Sequence, residues 1–289
     1  MGTEDKEVRA GLVQVVGWER YGWLRHGFST RQGGVSGVYG GRTLNLGWTT
    51  EDDPELVAEN RRRFLGAVQG EPWLQSVTLK QVHSAAVCPI RAESGVLAGK
   101  LQTGDGRAVL EGDGMMTDLP GVMLGIQTAD CVPVLVADVN RRVVAAFHAG
   151  WRGTVARIVE QGIEAMRREY GSKPDDLIAA VGPSIGACCY AVGEEVRSGF
   201  ESQFGYAGEL FKEGVDAQMH LDLWEANRRQ LLGAGVRAER VTVLGECTAC
   251  TMSGEERKYF SHRAERGLAG RMMSVIGICS LNDNLVTRK

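Results

Sequence analysis

Two histidines and one cysteine are the residues of this chain best suited to chemistry at a metal ion. His83 lies in LKQVHSAAV, Cys131 in QTADCVPVLVAD and His148 in VVAAFHAGWRGT, and the chain has only five histidines. Two imidazoles and one thiolate suit a borderline-soft ion such as zinc. Three protein ligands leave a fourth position for water or substrate, whereas structural sites use four. The trio therefore predicts a catalytic metal site, and hence an enzyme.

The fold must bring the trio together, because the three residues are far apart in the sequence. Cys131 precedes the apolar run VPVLVAD and His148 ends the run VVAAFH; residues 139–142 between them are typical of a short hairpin connection. The two residues are thus expected to be neighbours. Two other interpretations stay open: a buried cysteine with two hydrogen-bonded histidines, and a metal-free hydrolase with Cys131 as nucleophile and His148 or His83 as base.

The residues around the trio suggest anion binding. His148 is followed by a glycine-rich turn and a helical pattern, so Arg152 would lie at a helix N-terminus and could bind phosphate or a carboxylate. A solvated salt bridge is the alternative for Arg152. Arg31 in STRQGGVSG is a second candidate, although this loop is also typical of a mobile lid.

Three aspartates are candidates for proton transfer or for orienting a ligand imidazole: Asp113, Asp118 and Asp130. For Asp130 an ordinary turn residue is an equally good interpretation. Three aromatic residues could stack on a base, although large aromatics are more often core: Phe28, Trp151 and Tyr190.

Seven segments together resemble one family, in the same order along the chain. They are HGFSTRQGGVSG (26–37), LNLG (44–47), LKQVH (79–83), GDGMMTD (112–118), TADCVPVLVAD (128–138), HAGWRGT (148–154) and GPSIGACCYAVGEEV (182–196). The family was first described as multicopper polyphenol oxidases, or laccase-domain proteins, and later as zinc-dependent purine nucleoside phosphorylases. The resemblance runs from about residue 12 to about residue 278.

The resemblance implies a metal held by His83, Cys131 and His148, which is the trio found from residue types. It implies phosphorolysis of adenosine, inosine and S-methyl-5′-thioadenosine to free base and ribose 1-phosphate, with adenosine deamination as a side activity. Polar residues of the matched motifs are predicted to bind substrate: Asn45, Lys80 and Gln81. One departure concerns the segment SHRA, where Ala264 replaces a second arginine and puts any role of that loop in doubt.

The family's older description leaves copper-dependent phenol oxidation as an alternative. One cysteine and two histidines resemble a blue-copper centre, but oxygen reduction normally needs more coupled copper sites than five histidines supply. Zinc is therefore the expected cofactor, with copper possible.

The remaining cysteines show a weaker pattern. Cys188 and Cys189 are adjacent, and Cys247 and Cys250 form a single Cys-x-x-Cys pair. With no second such pair or histidine nearby, this is a weak zinc or redox signal, and we interpret these residues as structural. Two histidines, His26 and His220, are interpreted as surface or packing residues.

Composition excludes some partners and suggests a compartment. A net charge of −3 and a pI near 6.0 argue against a nucleic-acid or anionic-membrane surface. No apolar signal core begins the sequence and no run is long enough to span a membrane. An odd number of cysteines without a secretion signal favours reduced thiols in the cytoplasm. The expected partners are purine nucleosides and phosphate, with a monomer or homodimer.

The order of elements predicts an α/β (α+β) fold, a single layered domain with mixed β-sheets flanked by helices. We expect tails at 1–11 and 281–289, one catalytic domain over 12–280, and an insertion loop at 91–107. Strands are predicted at 12–16, 76–81, 121–126, 132–138, 143–148, 177–181, 240–245 and 272–278. Helices are predicted at 55–68, 154–170, 194–203 and 222–233, the last with Asp222 as N-cap.

Overall fold

A computed structural model describes residues 11–69, 75–104, 106–214 and 217–279. Of the two predicted tails, only Gly11 lies within these ranges, so both tails and the domain boundaries stay predictions. Among the described residues, no helix is long and apolar enough to cross a membrane.

The described residues form strands, five α-helices and several short 3-10 turns. The strands are β1 (Leu12–Val13), β2 (Leu24–Ser29), β3 (Gln75–Thr78), β4 (Val87–Pro89), β5 (Gly114–Thr117), β6 (Val122–Thr128), β7 (Val132–Asp138), β8 (Val143–Ala149), β9 (Leu177–Val181), β10 (Phe211–Glu213), β11 (Met219–Leu221), β12 (Val241–Val243), β13 (Met252–Ser253), β14 (Glu256–Arg257) and β15 (Met272–Ile278). The helices are α1 (Pro54–Gln69), α2 (Trp151–Val155), α3 (Ile158–Tyr170), α4 (Glu194–Glu201) and α5 (Leu223–Gly233).

Two large mixed sheets form the centre of the molecule. One has the order β1-β2-β15-β6-β3 and the other β12-β9-β7-β8-β5-β4; two further antiparallel pairs are β10-β11 and β13-β14. In each large sheet parallel pairs occur beside antiparallel ones: β3 with β6, β4 with β5 and β9 with β12 are parallel. The predicted mixed sheets are confirmed.

The two sheets pack face to face, with helices on both outer faces. Along β7, Leu135 and Ala137 belong to the core between the sheets, whereas Val134 and Val136 belong to the core under the helices. This follows from the two-residue period of a strand, and because both faces are covered, every residue of β7 is buried. Helices α3, α4 and α5 cover the six-stranded sheet, and α1 covers the other. The predicted fold class is confirmed.

Three sequence predictions were wrong in detail. The predicted helix at 154–170 is two helices, α2 and α3, because Arg157 between them has a left-handed backbone with φ 60°. Strands β2, β4 and β5 and the short pairs β10-β11 and β13-β14 were missed. Residues 91–107 are not simply an insertion loop, since Val96 and Leu101 are buried in the core between the sheets.

His26 on β2 provides a stability prediction. Its ring is buried against Trp18, and its Nε2 accepts the N–H of Val15 at 2.9 Å, so it is a packing residue. Burial lowers the pKa of His26 from 6.5 to about 4, with Glu19 opposing the shift. The unfolded chain therefore takes up a proton that the folded chain excludes, so this residue lowers the free energy of unfolding as pH falls below 6.5, by about 3 kcal/mol at pH 4.

We expect His26→Gln, which keeps an acceptor for Val15, to remove this dependence. Unfolding by urea at several pH values between 7 and 4 measures the effect. Groups other than His26 titrate in both proteins, so their effects cancel in the difference between the two free energies of unfolding. That difference, wild type minus variant, should fall steadily as the pH is lowered from 7 to 4. A difference that does not change with pH would contradict the prediction.

Candidate metal centre

Cys131 and His148 are brought together by the junction of the two sheets. Residues 129–131 carry the chain from β6 in one sheet to β7 in the other, and β7 pairs antiparallel with β8. In that register Val132 pairs with Ala149 and Pro133 pairs with His148. Cys131 therefore lies beside the end of β8, as the predicted hairpin required.

His83 reaches the same place from a loop between β3 and β4. Its backbone has φ 60°, a left-handed conformation that is uncommon for a residue with a side chain. Three backbone N–H groups of this loop, those of Val82, His83 and Ser84, donate to the carboxylate of Asp113 at 3.3, 3.0 and 2.6 Å. Asp113 thus stabilises a loop conformation that presents the His83 imidazole to the other two residues.

The trio is close enough to share one ion. Its ligand atoms all lie within 4.8 Å of one another, and Cys131 Sγ lies 3.9 Å from His83 Nε2. A zinc ion about 2.3 Å from sulfur and about 2.0–2.1 Å from nitrogen can contact both atoms at this separation. The three side chains could therefore bind a metal ion. His83 is exposed, Cys131 is half-buried and His148 is buried, so the cluster opens to one side.

Asp113 also fixes the tautomer of His148. Its Oδ1 accepts a hydrogen bond from His148 Nδ1 at 2.8 Å, and its backbone carbonyl accepts the N–H of His148 at 2.7 Å. With the proton on Nδ1, the Nε2 lone pair of His148 is free to bind a metal. Ser84 Oγ donates to the other oxygen of Asp113 at 2.7 Å. The carboxylate is fully buried and still well supplied with donors.

The local charges favour a thiolate at Cys131 and a carboxylate at Asp113, whereas on His148 they favour a proton that a metal must displace when it binds. Burial would raise the pKa of Cys131, but the nearby imidazoles of His148 and His83 outweigh it and lower the pKa to about 6. Burial would lower the pKa of His148, but the Cys131 thiolate and Asp113 raise it to about 9. The pKa of Asp113 lies well below its usual range, because hydrogen bonds from His148 and Ser84 outweigh burial. Cys131 is thus prepared as a thiolate, the form that binds metal.

A cavity lies directly against the trio. Its volume is about 420 Å³, within the roughly 300–1,000 Å³ typical of small-molecule sites. It is lined by the trio together with Leu79, Gln81, Gln127, Thr128, Ala129, His262 and Arg271. A second cavity of about 340 Å³ shares Gln127 and Arg271 with it. A substrate in the first cavity would contact the open side of the metal site.

The sequence matches one family model over residues 25–279, and that family is described as "Multi-copper polyphenol oxidoreductase laccase". The match covers most of the chain. The chain belongs to this family.

Proteins with related sequences carry the names of enzymes that act on purine nucleosides. A protein of Deinococcus radiodurans named "Purine nucleoside phosphorylase" is 40% identical over 254 residues, which cover 88% of each chain. A protein of an unknown prokaryotic organism named "Adenosine deaminase RL5" is 35% identical over 238 residues, covering 82% of this chain and 87% of that protein. The crystal structure of the Bacillus licheniformis hypothetical protein YfiH superposes with a TM-score of 0.81 at 31% identity, covering 93% of this chain and 96% of the other.

Two residues that the motifs suggested for substrate binding are buried, and their polar groups are paired with other residues of this laccase-family fold. Asn45 is fully buried; its amide donates to Asp52 at 2.7 Å and accepts the backbone N–H of Arg271 at 2.8 Å. It positions Arg271 and has no surface left for a ligand. Arg31 is buried in an ion pair with Glu265 at 3.0 Å, so its charge is neutralised within the protein, and it lines a different cavity from the trio.

Other predicted residues lie near the surface or around the trio. Lys80 is exposed and pairs with Glu111 at 3.1 Å. Gln81 lines the cavity, but its amide is paired with the backbone of Gln127 at 2.7 and 2.8 Å. It thereby attaches the His83 loop to β6. Asp118 is exposed at the far end of β5 from Asp113, roughly 15 Å away at the rise of a strand, so it is too distant to act at the trio.

Arg152, Trp151 and Tyr190 lie on the side of the trio occupied by α2. Arg152 is exposed, stacks over the Trp151 ring at 4.2 Å and lies 3.6 Å from Glu195, so the salt-bridge interpretation describes it as well as anion binding does. Trp151 packs against the core under the helices. Tyr190 is half-buried, and burial raises the pKa of its hydroxyl to about 12, with the Cys131 thiolate adding to the shift. Phe28 is buried between the sheets and is a core residue.

Asp130 is a turn residue that holds the Cys131 segment. Its backbone has φ 90°, and its carboxylate accepts the Thr248 hydroxyl at 2.6 Å and the Arg263 N–H at 2.7 Å. The backbone carbonyl of Asp130 accepts the N–H of Ile185 at 2.9 Å. These bonds occupy the Asp130 carboxylate and fix the residue next to Cys131. The aspartate that orients the ligand imidazole is Asp113, which bonds to His148.

Of the six cavity residues that were not predicted as site residues from the sequence, three carry side-chain nitrogen atoms: Gln127, His262 and Arg271. His262 lies in the segment SHRA, in which Ala264 departs from the family motif. Arg271 directly precedes the last strand, in the segment GRMMS, and an arginine before a buried strand was the available signal. Its side chain faces the cavity because Asn45 holds its backbone.

Gly150 gives a second prediction. A Cβ at this position would lie 2.9 Å from Cys131 Sγ and 3.2 Å from His83 Cδ2, although its φ of −64° suits any residue. Gly150→Ala should therefore push the ligands apart and weaken metal binding at the trio at least tenfold, since ligand geometry sets affinity. Titration against a competing chelator measures the change. Gly193→Ala, at a glycine with nothing within 4 Å of its added Cβ, is the control and should bind metal normally. Equal affinities would contradict the prediction.

Proposed function

We propose that this chain is a purine nucleoside phosphorylase that uses a zinc ion held by His83, Cys131 and His148. It cleaves adenosine, inosine and S-methyl-5′-thioadenosine with phosphate to the free base and ribose 1-phosphate or its methylthio analogue. Adenosine deamination is proposed as a second activity of the same site. The observation that carries the proposal is the three-ligand cluster on the wall of a cavity of about 420 Å³, in a chain that is 40% identical to a protein named purine nucleoside phosphorylase.

The residues of the trio suit a resident zinc ion. Three ligands, two of them imidazoles, with one side open to a cavity form the pattern of a catalytic site. When bound, zinc supplies a Lewis acid and lowers the pKa of coordinated water to about 7. Asp113 keeps the proton of His148 on Nδ1 and holds the His83 loop in place. The protein thus holds the ligands in position before substrate arrives, which lowers the reorganisation needed for reaction.

Phosphorolysis also needs a bound phosphate and support for the departing base. Arg271 lines both adjoining cavities and offers a planar guanidinium suited to phosphate, so we assign phosphate binding to it in place of Arg31 and Arg152. His262 is the lining imidazole outside the trio, and it can transfer a proton to the purine as the glycosidic bond breaks. The roles of Arg271 and His262 are both proposed from the positions of these residues on the wall of the cavity.

Deamination would use the same centre with water in place of phosphate. The sequence lacks the His-x-Glu and Pro-Cys-x-x-Cys signature of the zinc deaminases that flip bases, so the ligand set here would be a different solution to that chemistry. The relative named adenosine deaminase supports this activity. We also propose a cytoplasmic location, which free cysteine thiols favour.

The test separates the products of adenosine. Purified protein of known metal content is incubated with adenosine, with and without phosphate, and adenine, inosine and hypoxanthine are separated. Phosphate-dependent adenine supports the phosphorylase, and phosphate-independent inosine supports the deaminase. If neither forms while the zinc site is full, the proposed function is wrong. Oxidation of phenols by copper-loaded protein would then support the older family description.

A further inference from the structure

Four cysteines outside the candidate metal centre converge on one place. Cys188 and Cys189 lie in a turn after β9, and Cys247 and Cys250 lie in a turn after β12. Their sulfur atoms all lie within 4.8 Å of one another, and the sulfurs of Cys188 and Cys250 are 3.6 Å apart. The adjacent pair and the single Cys-x-x-Cys pair, each a weak signal in the sequence, are therefore one cluster in the fold.

We propose that Cys188, Cys189, Cys247 and Cys250 bind one zinc ion as a second metal site with a structural role. Four thiolates around one ion form the closed ligand set of structural zinc sites, and this cluster leaves no position for substrate. With zinc–sulfur distances of about 2.3 Å, the sulfurs of a tetrahedral site lie roughly 3.7–3.8 Å apart, close to the separation of Cys188 and Cys250.

The surroundings of Cys247 also match a metal-bound thiolate. The backbone N–H of Gly186 donates to Cys247 Sγ at 3.3 Å, and Cys247 is buried. Donors of this kind stabilise the negative charge that a thiolate keeps when it binds a cation. The other three sulfurs lie at the surface side of the cluster, because Cys188 and Cys250 are exposed and Cys189 is half-buried. A metal can thus enter from solvent.

The cluster lies where two loops must be held together. Ser184 and Cys247 form an isolated parallel bridge, in which the N–H of Thr248 donates to the Ser184 carbonyl at 3.0 Å. The Thr248 hydroxyl and the N–H of Ile185 then both bond to Asp130, the residue next to Cys131. A zinc ion joining these loops would therefore hold the turn that presents Cys131 to the first metal.

The test counts the metal ions bound to four purified proteins by inductively coupled plasma mass spectrometry. After loading with zinc and desalting, we expect about two ions per chain in the wild type and about one in Cys131→Ser, which keeps the four-cysteine cluster. We also expect about one in Cys250→Ser, whose side chain is exposed. Cys279→Ser, at a buried cysteine outside both clusters, is the control and should keep about two.

Cobalt gives a second measurement, whose main sample, Cys131→Ser, keeps all four cysteines of the cluster. Cobalt(II) loaded into Cys131→Ser should show the intense thiolate charge-transfer bands of a four-sulfur site, and these bands should be lost in Cys131→Ser combined with Cys250→Ser. A single ion in the wild type that disappears completely in Cys131→Ser would overturn the proposal. So would a disulfide between any two of the four cysteines in the zinc-loaded, freshly purified protein. Because nucleoside cleavage is not the readout, failure of the proposed function and failure of this site are distinguishable.

Discussion

Cys131→Ser should lose the metal of the trio and at least about 10³-fold of kcat/KM for phosphorolysis of adenosine. The serine hydroxyl is not ionised near neutral pH, so it cannot replace the thiolate that the surroundings of Cys131 stabilise. A metal acting as a Lewis acid contributes several kcal/mol to a transition state, and each 1.36 kcal/mol changes the rate tenfold. Steady-state kinetics together with metal content measure the effect.

Cys279→Ser is the matched control for this substitution. Its sulfur donates to the carbonyls of Gly22 and Trp23, and a hydroxyl can keep such bonds. We expect normal metal content and activity in this variant. Loss of activity in Cys131→Ser when the active wild type holds no metal at the trio would instead indicate that Cys131 acts as a nucleophile, as the metal-free hydrolase interpretation requires.

Asp113→Asn should weaken metal binding at the trio by about 10–100-fold and lower thermal stability. The carboxylate accepts hydrogen bonds on both oxygens from donors of the His83 loop and from His148. An amide places an NH2 group where an acceptor is required, whichever way it is oriented. Partners that orient a ligand histidine typically contribute 10–100-fold in metal affinity, and a buried donor left unsatisfied costs about 1–3 kcal/mol.

Asp118→Asn makes the same chemical change at the opposite end of β5, on an exposed residue. It should leave metal affinity and melting temperature unchanged. Competitive chelator titration and thermal unfolding of the two variants compare them directly. If Asp118→Asn weakened metal binding as much as Asp113→Asn, the assignment of the orienting aspartate would be wrong.

The sequence predicted the trio because residue type carries most of that information. Histidine and cysteine are few in this chain, and the antiparallel connection between β7 and β8 is short enough to follow from local pattern. The approach of His83 could not follow from local pattern, since it depends on a left-handed backbone stabilised by Asp113 from another strand. Nothing in residue type separated Asp113 from Asp118 or Asp130; only their positions along β5 and at the sheet junction did.

The contacts of Arg31 and Arg271 could not be predicted from the sequence for a different reason. Arg31 lies in a glycine-rich loop that is typical of anion sites, but Glu265, far along the chain, neutralises its charge. Arg271 carries no such loop, and its backbone is fixed by Asn45, also distant in sequence. Contacts between residues that are far apart in the sequence are set by the tertiary fold. Local sequence therefore could not distinguish an arginine in an ion pair from an arginine that faces a cavity.

The fold class was predictable because both sheets contain long apolar strands. Strands β6, β7, β8, β9 and β15 were predicted with nearly their observed bounds. Strand β2 was missed because it contains Arg25 and His26, and β5 because glycine and methionine have little β preference. Both are buried by their neighbours in the sheets, so tertiary packing rather than local preference makes them strands.

The most direct test of the central proposal follows ribose 1-phosphate by phosphorus NMR in one series of samples. Adenosine and phosphate are mixed with protein as purified, with protein stripped by a chelator, and with stripped protein reloaded with zinc or copper. We expect ribose 1-phosphate to form at the rate at which adenine appears, to stop on stripping and to return with zinc. Undiminished formation by fully stripped protein, or none by protein whose trio is filled with zinc, would contradict metal-dependent phosphorolysis at His83, Cys131 and His148.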